Sequence, residues 1–220
     1  MLCIDVIEPG YPVLHLHEST IGDMLALHEE RDCSSFPVLD NDEPTGILSL
    51  KDVFHLPEET KTDELQHLFT KAAVPENEFF YSALRVMNLT GNIVPVTDTN
   101  NKYRGTVSQR SMLDALNIFL NVPSGNGGVI VLEMGKTDYA FSEIARLVES
   151  CEAGIVQLTT YFDVKTELFV VTLKADRNDI SEIVSTLQRH DYHITYYFGE
   201  EKYENEIKRN YDALMNYLSI

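Results

Sequence analysis

Ser49 and Asp52 stand three residues apart in the phrase GILSLKDVF, Gly46–Phe54. An ionised aspartate accepts two hydrogen bonds and suits a ligand with two neighbouring hydroxyls. A serine hydroxyl beside the N–H groups of a helix start can hold anionic oxygens, and Lys51 adds a positive charge. The phrase returns as GTVSQRSML, Gly105–Leu113, with Ser108 and Arg110 in place and Ser111 where the acid should stand. A serine side chain is shorter and cannot make the two-bond contact. The spacing therefore predicts one competent site, at Ser49 and Asp52, and one weakened or empty site, at Ser108 and Ser111. Serine and aspartate at such positions also cap helices, so a purely structural use stands beside the binding one.

Other residues invite chemistry and give it no recognisable spacing. The chain has 7 histidines. His15-x-His17 places two rings on one face of a strand, and His28 or His55 would have to join them by folding, but no His, Cys, Asp or Glu set has metal-ligand spacing. His190 and His193 flank a helix-to-strand turn and read as surface groups. The 3 cysteines, Cys3, Cys33 and Cys151, are odd in number and form no C-x-x-C pair, which suits a reducing compartment better than a disulfide framework or thiolate metal site. G-x-S-x-G, P-loop and G-x-G-x-x-G motifs are all missing from the sequence, so no catalytic residue is assigned and the expectation is a non-enzyme.

The elements that must position Ser49 and Asp52 also occur twice. FPVLD, Phe36–Asp40, answers VPVTD, Val94–Asp98. Upstream of each proline lies a helical pattern, Ile21, Met24, Leu25 and His28 in one copy and Phe80, Ala83, Leu84 and Met87 in the other. Ser19 and Thr20 are natural N-caps for the first of these helices. Each unit then runs through a strand, a polar turn (DNDEPT or DTNNKYR), a second strand and a second helix. A unit this small cannot bury its own sheet, so the two are expected to pack face to face about a pseudo-two-fold axis.

This β-α-β-β-α pair, with x-P-V-x-D and G-h-h-S-x-x-D (h apolar) each written twice in register, resembles a tandem cystathionine-β-synthase (CBS) domain pair over residues 1–121. Repeat 1 spans about 1–60 and repeat 2 about 61–121. The resemblance implies a cleft that binds an adenosine-containing molecule (AMP, ADP, ATP or S-adenosylmethionine). Ser34, Ser35, Phe36 and Pro37 would then form the wall at the base, with Ser49, Lys51 and Asp52 at the sugar and phosphates. The second, weaker site would comprise Ile93, Val94, Pro95, Ser108, Arg110 and Ser111.

After VPSGNGG, read as a linker over 122–128, the pattern changes. GVIVLEM is a strand; Phe141, Ile144, Ala145 and Val148 mark a helix; IVQLTTYF and ELFVVTLKA are strands joined by a turn at Asp163–Thr166. Ile180, Ile183, Val184 and Leu187 mark a second helix, with Asp179 and Glu182 spaced as a capping box, and YHITYYF closes as a strand. The order βαββαβ is ferredoxin-like. Over 129–199 it resembles an ACT domain, a regulatory module that often binds amino acids and pairs with its own kind. Gly135 fits the first strand-to-helix loop of that family, but no Pro-Gly follows an acid there, so self-association is expected rather than an amino-acid ligand. In the tail, 200–220, Tyr203, Ile207, Tyr211, Leu214 and Leu218 form one apolar helical stripe, expected to dock on the chain itself or a twin. The whole arrangement is similar to bacterial stand-alone CBS–ACT regulatory proteins of the acetoin-utilisation type.

The charge balance narrows the partners. A net charge of -18 repels nucleic acid and anionic membranes. No apolar run reaches the roughly 18–20 residues of a membrane helix, and the N-terminal segment, with Asp5 and Glu8, lacks a basic leader. The sequence thus predicts an α+β, cytoplasmic, homodimeric sensor of an adenosine compound, with no required cofactor, no metal, and a protein target that it does not identify. The alternative is a protein-interaction module with vestigial clefts.

Overall fold

A computed structural model describes residues 1–122, 127–135 and 140–199. The chain divides into two compact units, Met1–Asn117 and Ile118–Ile220, and each is taken by itself.

The first unit contains two three-stranded sheets of the same design. Strands β1 (Leu14–His15), β2 (Ser35–Asp40) and β3 (Glu43–Ser49) form one sheet; β4 (Val74–Pro75), β5 (Ile93–Thr97) and β6 (Tyr103–Ser108) form the other. In each, the short first strand pairs parallel with the second, and the second pairs antiparallel with the third. Helices α1 (Ile21–Arg31) and α3 (Tyr81–Thr90) cross from first strand to second, while α2 (Leu50–Val53) and α4 (Gln109–Phe119) follow the third. Pro37 and Pro95 sit in central strands, where proline is normally excluded. The fold tolerates them because β1 pairs only with Val38 and Leu39, and β4 only with Val96 and Thr97. Each proline therefore precedes the stretch that is bonded on both sides.

Local signals set the helix limits. The Thr20 side chain accepts from the Asp23 N–H, and the Asp23 carboxylate accepts from the Thr20 N–H at 2.8 Å, a reciprocal cap. Helix α1 ends at Asp32, in the left-handed region at φ 55°. Helix α3 ends at Gly91, φ 89°, whose N–H donates to the Met87 carbonyl.

The two repeats exchange their leading segments. The 3-10 turn Cys3–Val6 opens the first repeat, yet Cys3 and Val6 are buried with Val74, Phe80, Val94 and Val107 of the second. The Cys3 N–H donates to the Glu78 carbonyl at 2.8 Å and the Glu8 N–H to the Thr106 carbonyl at 2.7 Å. The 3-10 turn Thr62–Leu68 opens the second repeat, yet Leu65 is buried with Ile21, Met24, Phe36 and Leu48 of the first. Ile47 and Thr70 donate their N–H groups to each other's carbonyls, both at 2.9 Å. The boundary read at 60/61 is thus crossed in both directions. This exchange explains the glycine that opens each repeated phrase. A Cβ on Gly46 would lie 2.7 Å from the Phe69 Cβ, and one on Gly105 (φ +155°) 2.8 Å from the Ile7 Cδ1. The crossing segments press on the backbone where only glycine leaves room.

The second unit has one antiparallel sheet in the order β10-β7-β9-β8. The strands are β7 (Val129–Met134), β8 (Ile155–Asp163), β9 (Leu168–Ala175) and β10 (His193–Phe198), with α5 (Phe141–Ser150) after β7 and α6 (Ser181–Arg189) after β9. Alternation along β7 turns Ile130, Leu132 and Met134 into a core with Ile144, Leu147 and Val148 of α5 and Ile183 and Leu187 of α6. The expected α+β arrangement of a βαββα pair followed by a βαββαβ unit is present. Phe141 differs from its expected place on the buried stripe: it opens α5 and is half exposed, and Leu147 takes the core position. Asp179 accepts from the Ser181 N–H and hydroxyl just before α6. Of the linker, Gly127 and Gly128 are already tied down: the Gly127 N–H donates to the Asn178 side chain at 2.6 Å and the Gly128 N–H to the Arg177 carbonyl at 2.7 Å. The tail helix lies outside the described residues. No helix among the described residues is long and apolar enough to cross a membrane.

Candidate functional site

The first copy of the phrase delivers Ser49 to the end of β3, immediately before α2, in extended backbone. Its side chain makes no cap bond to the helix. Instead the Ser49 hydroxyl donates over 3.5 Å to the Ser34 carbonyl, and Ser35 lies 3.5 Å away across the β2–β3 pair. Asp52, half-buried on α2, makes no hydrogen bond or ion pair among the described residues, so the capping use does not absorb it. Lys51 is exposed beside it. Asn92 reaches over from the second repeat, its side-chain amide 3.4 Å from the hydroxyls of both Ser34 and Ser35. Two expectations change. Of the N–H groups at the helix start that were expected to meet anionic oxygens, that of Leu50 already donates to the Ser34 carbonyl at 2.9 Å, and α2 is a single turn of four residues. Phe36 and Pro37 are buried, with Phe36 in the core of the first repeat, so a ligand beside them would meet backbone rather than side chain.

The second copy is closed upon itself. The Ser108 N–H donates to the Ser111 hydroxyl at 3.0 Å and the Ser111 N–H donates to the Ser108 hydroxyl at 3.2 Å. Ser111 thus caps the start of α4, which Asp52 does not do for α2, and leaves no carboxylate for a ligand. The Ser108 hydroxyl in turn donates to the carboxylate of Glu8, carried in by the exchanged N-terminal segment. Ile93, Val94 and Pro95 are buried, Val94 in the core of the second repeat, and Arg110 is exposed. Close by, the Tyr11 hydroxyl donates to the Ser35 carbonyl at 2.9 Å. Burial first, then the neighbouring Cys33 and Glu8, push the Tyr11 phenol above its ordinary value.

The hairpins of the two repeats are clasped at their turns. The Tyr103 N–H donates to the Asp42 carbonyl at 2.8 Å, and the Lys102 ammonium bonds the Asn41 carbonyl at 2.7 Å and the Glu43 carboxylate at 3.0 Å. The hydrogen bond and charge of Lys102 hold the Glu43 carboxyl below its usual range.

Two open clefts lie elsewhere. One, of about 680 Å³, runs between Pro44–Gly46 and the exchanged segment at Gln66, Phe69 and Lys71, and none of the expected site residues lines it. The other, of about 540 Å³, lies in the second unit beside Met134 and Gly135 and is edged by Glu133, Glu143, His190 and His193. Among the described residues no three His, Cys, Asp or Glu side chains gather as metal ligands would. His17 faces Asp63 at 3.4 Å, and the His28 ring bonds the Cys33 carbonyl at 2.9 Å. Sequence reasoning missed Glu8, Tyr11 and Asn92. Their signal is topological: Glu8 stands one residue after Ile7 as Thr70 stands one residue after Phe69, and only the exchange makes those positions equivalent.

The sequence model of the CBS domain matches residues 5–59. No curated protein sequence matches the chain. Among solved structures the chain is similar to a CBS domain pair/ACT domain protein from Thermotoga maritima, at 18% identity and a TM-score of 0.49, over 55% of this chain and 99% of that one. It is similar also to a CBS-pair protein from Arabidopsis thaliana, at 17% identity and a TM-score of 0.46, over 54% and 95%. A third likeness is to the CBS domain of a bacterial CNNM/CorC family Mg2+ transporter in complex with ATP, at 20% identity and a TM-score of 0.43, over 52% and 85%. The CBS-domain match over residues 5–59 covers the first of two sheets of the same design, and an additional α+β unit follows them.

Proposed function

We propose that the chain is a non-enzymatic, ligand-sensing regulatory protein of a reducing cytoplasm, holding one adenosine-containing molecule per chain at the first copy of the phrase. Asp52 would accept from the ribose hydroxyls, Ser49 and Lys51 would meet the phosphates, and Ser34, Ser35 and Asn92 would edge the base. The observation that supports this most is the asymmetry of the copies. Asp52 keeps its acceptors unused, whereas Ser111 is spent on capping α4 and Ser108 on Glu8. The ACT-like second unit would bring two chains together, and a shift of its pose on ligand binding would be the output. Such coupling requires the ligand to bind two states of the chain with different affinity.

A scaffold reading has one observation in its favour: an open cleft of the first unit, of about 680 Å³, is lined by neither Ser49 nor Asp52. Calorimetric titration with AMP, ADP, ATP and S-adenosylmethionine decides between the two. The sensor reading expects one of these to bind one mole per mole, with affinity at least about tenfold weaker in Asp52→Ala, the loss of a charge-assisted hydrogen-bonded contact. No binding by any of the four, or binding indifferent to Asp52→Ala, would leave the scaffold reading.

A further inference from the structure

We infer that Glu8 is a built-in occupant of the second cleft, and that its carboxylate, rather than the missing aspartate alone, is what keeps a nucleotide out. The inference rests on the reading of the repeated phrases as nucleotide sites. Its first support is placement. Glu8 is held by its backbone, its N–H donating to the Thr106 carbonyl at 2.7 Å as an added rung on β6, two residues before Ser108. Ile7, packed over Gly105, fixes the same segment from the other side. The carboxylate therefore reaches Ser108 from an anchored strand and not from a loose end.

The second support is chemical. The Ser108 hydroxyl is buried, 6% exposed, and donates to Glu8. That is the bond a serine at this place would give to a ligand's phosphoryl oxygen, so the carboxylate stands where an anion would. An incoming phosphate would have to break a charge-assisted hydrogen bond and then sit beside a like charge. The third support is the first repeat, which serves as an internal control. Its crossing segment makes the same rung, Thr70 with Ile47, but puts a threonine where the other puts Glu8, and the next residue is Lys71. The two clefts thus differ in charge: an acid enters one, and a neutral threonine stands at the equivalent rung beside the other. Tyr11, bonded to the Ser35 carbonyl three residues beyond Glu8, pins the remainder of the segment.

Equilibrium dialysis against ATP, repeated with AMP, tests this in an Asp52→Ala background, where the first cleft is weakened and contributes equally to every variant compared. Asp52→Ala/Glu8→Ala is expected to bind one mole per mole more than Asp52→Ala alone, and adding Ser108→Ala should abolish the gain. Equal binding with and without Glu8→Ala overturns the inference, and so does a gain that survives Ser108→Ala. Should the alanine variant fail to fold by circular dichroism, Glu8→Gln keeps the side-chain length, removes the charge and must show the same gain. Failure of the broader reading shows separately, as wild-type chain and Asp52→Ala both binding nothing, and in that case the gain on removing Glu8 still decides this one.

Discussion

Tyr11 joins the electrostatics of the pair to its stability. Burial, followed by Cys33 and Glu8, raises its phenol, and burial raises Tyr103 in the same direction. The folded chain keeps these protons at a pH where the unfolded chain releases them. Their contribution is complete below the unfolded value of about 10 and is lost as the pH climbs through and beyond it. The unfolding free energy from urea titration is therefore expected to fall above about pH 10, and to fall less steeply in Tyr11→Phe. That variant should also lose about 1 kcal/mol at neutral pH with the bond to Ser35. Equal alkaline slopes in the two proteins would remove Tyr11 from this account. At this scale the sequence was informative about Ser49 and Asp52, because a phrase written twice draws attention to the one position where the copies differ. It was silent about Glu8 and Tyr11, whose importance comes from contacts with residues 100 and 24 positions away. It also did not disclose that the Leu50 N–H is already taken by the Ser34 carbonyl, a bond just beyond the end of the β2–β3 pair that no local pattern encodes.

Among the elements, the exchanged segments govern stability. Leu65 lies in the stretch that leads the second repeat but is buried in the core of the first. Leu65→Ala is expected to cost about 2–5 kcal/mol, the range for emptying a buried leucine site. The cost should also be felt in the first repeat, read as lost hydrogen-exchange protection at Met24, Phe36 and Leu48. Protection lost only around the second sheet would contradict the exchange. The strands, helices and turns of both repeats were legible because hydrophobic periodicity is local, and Thr20 with Asp23 announces α1 from sequence alone. The exchange was not legible, since Cys3–Val6 and Thr62–Leu68 are short and carry no periodicity that would say which sheet they join. The βαββαβ order of the second unit was readable for the same reason as the repeats. The exposed place of Phe141 was not, because one aromatic residue at a helix start fits either face.

The field of the whole chain opposes the ligand proposed for it. With 17 basic and 35 acidic residues, a nucleotide approaches against a repulsive potential and is met by local donors only at close range. Between about 0.01 M and 0.1 M salt the Debye length falls from about 30 Å to about 10 Å, so long-range repulsion is screened before the short contacts are. Nucleotide affinity is expected to hold or rise over that interval, opposite to the behaviour of a basic phosphate-binding protein. Calorimetry at the two salt concentrations checks it, and a marked fall would mean that Lys51 and its neighbours dominate the field at the site. Composition alone supports this expectation, since net charge needs no knowledge of fold.

The crossing of the two leading segments also orders events as the chain is made. Cys3 and Val6 leave the ribosome about a hundred residues ahead of Val107, Met112 and Ala115, the partners that bury them. At typical rates of synthesis that interval is roughly 5–20 s. The first sheet can close once residue 70 has emerged, but the segment ahead of it must remain unburied while the second sheet is still being translated. Residues synthesised early are among the last to be buried, and the pair becomes a finished object only as a pair.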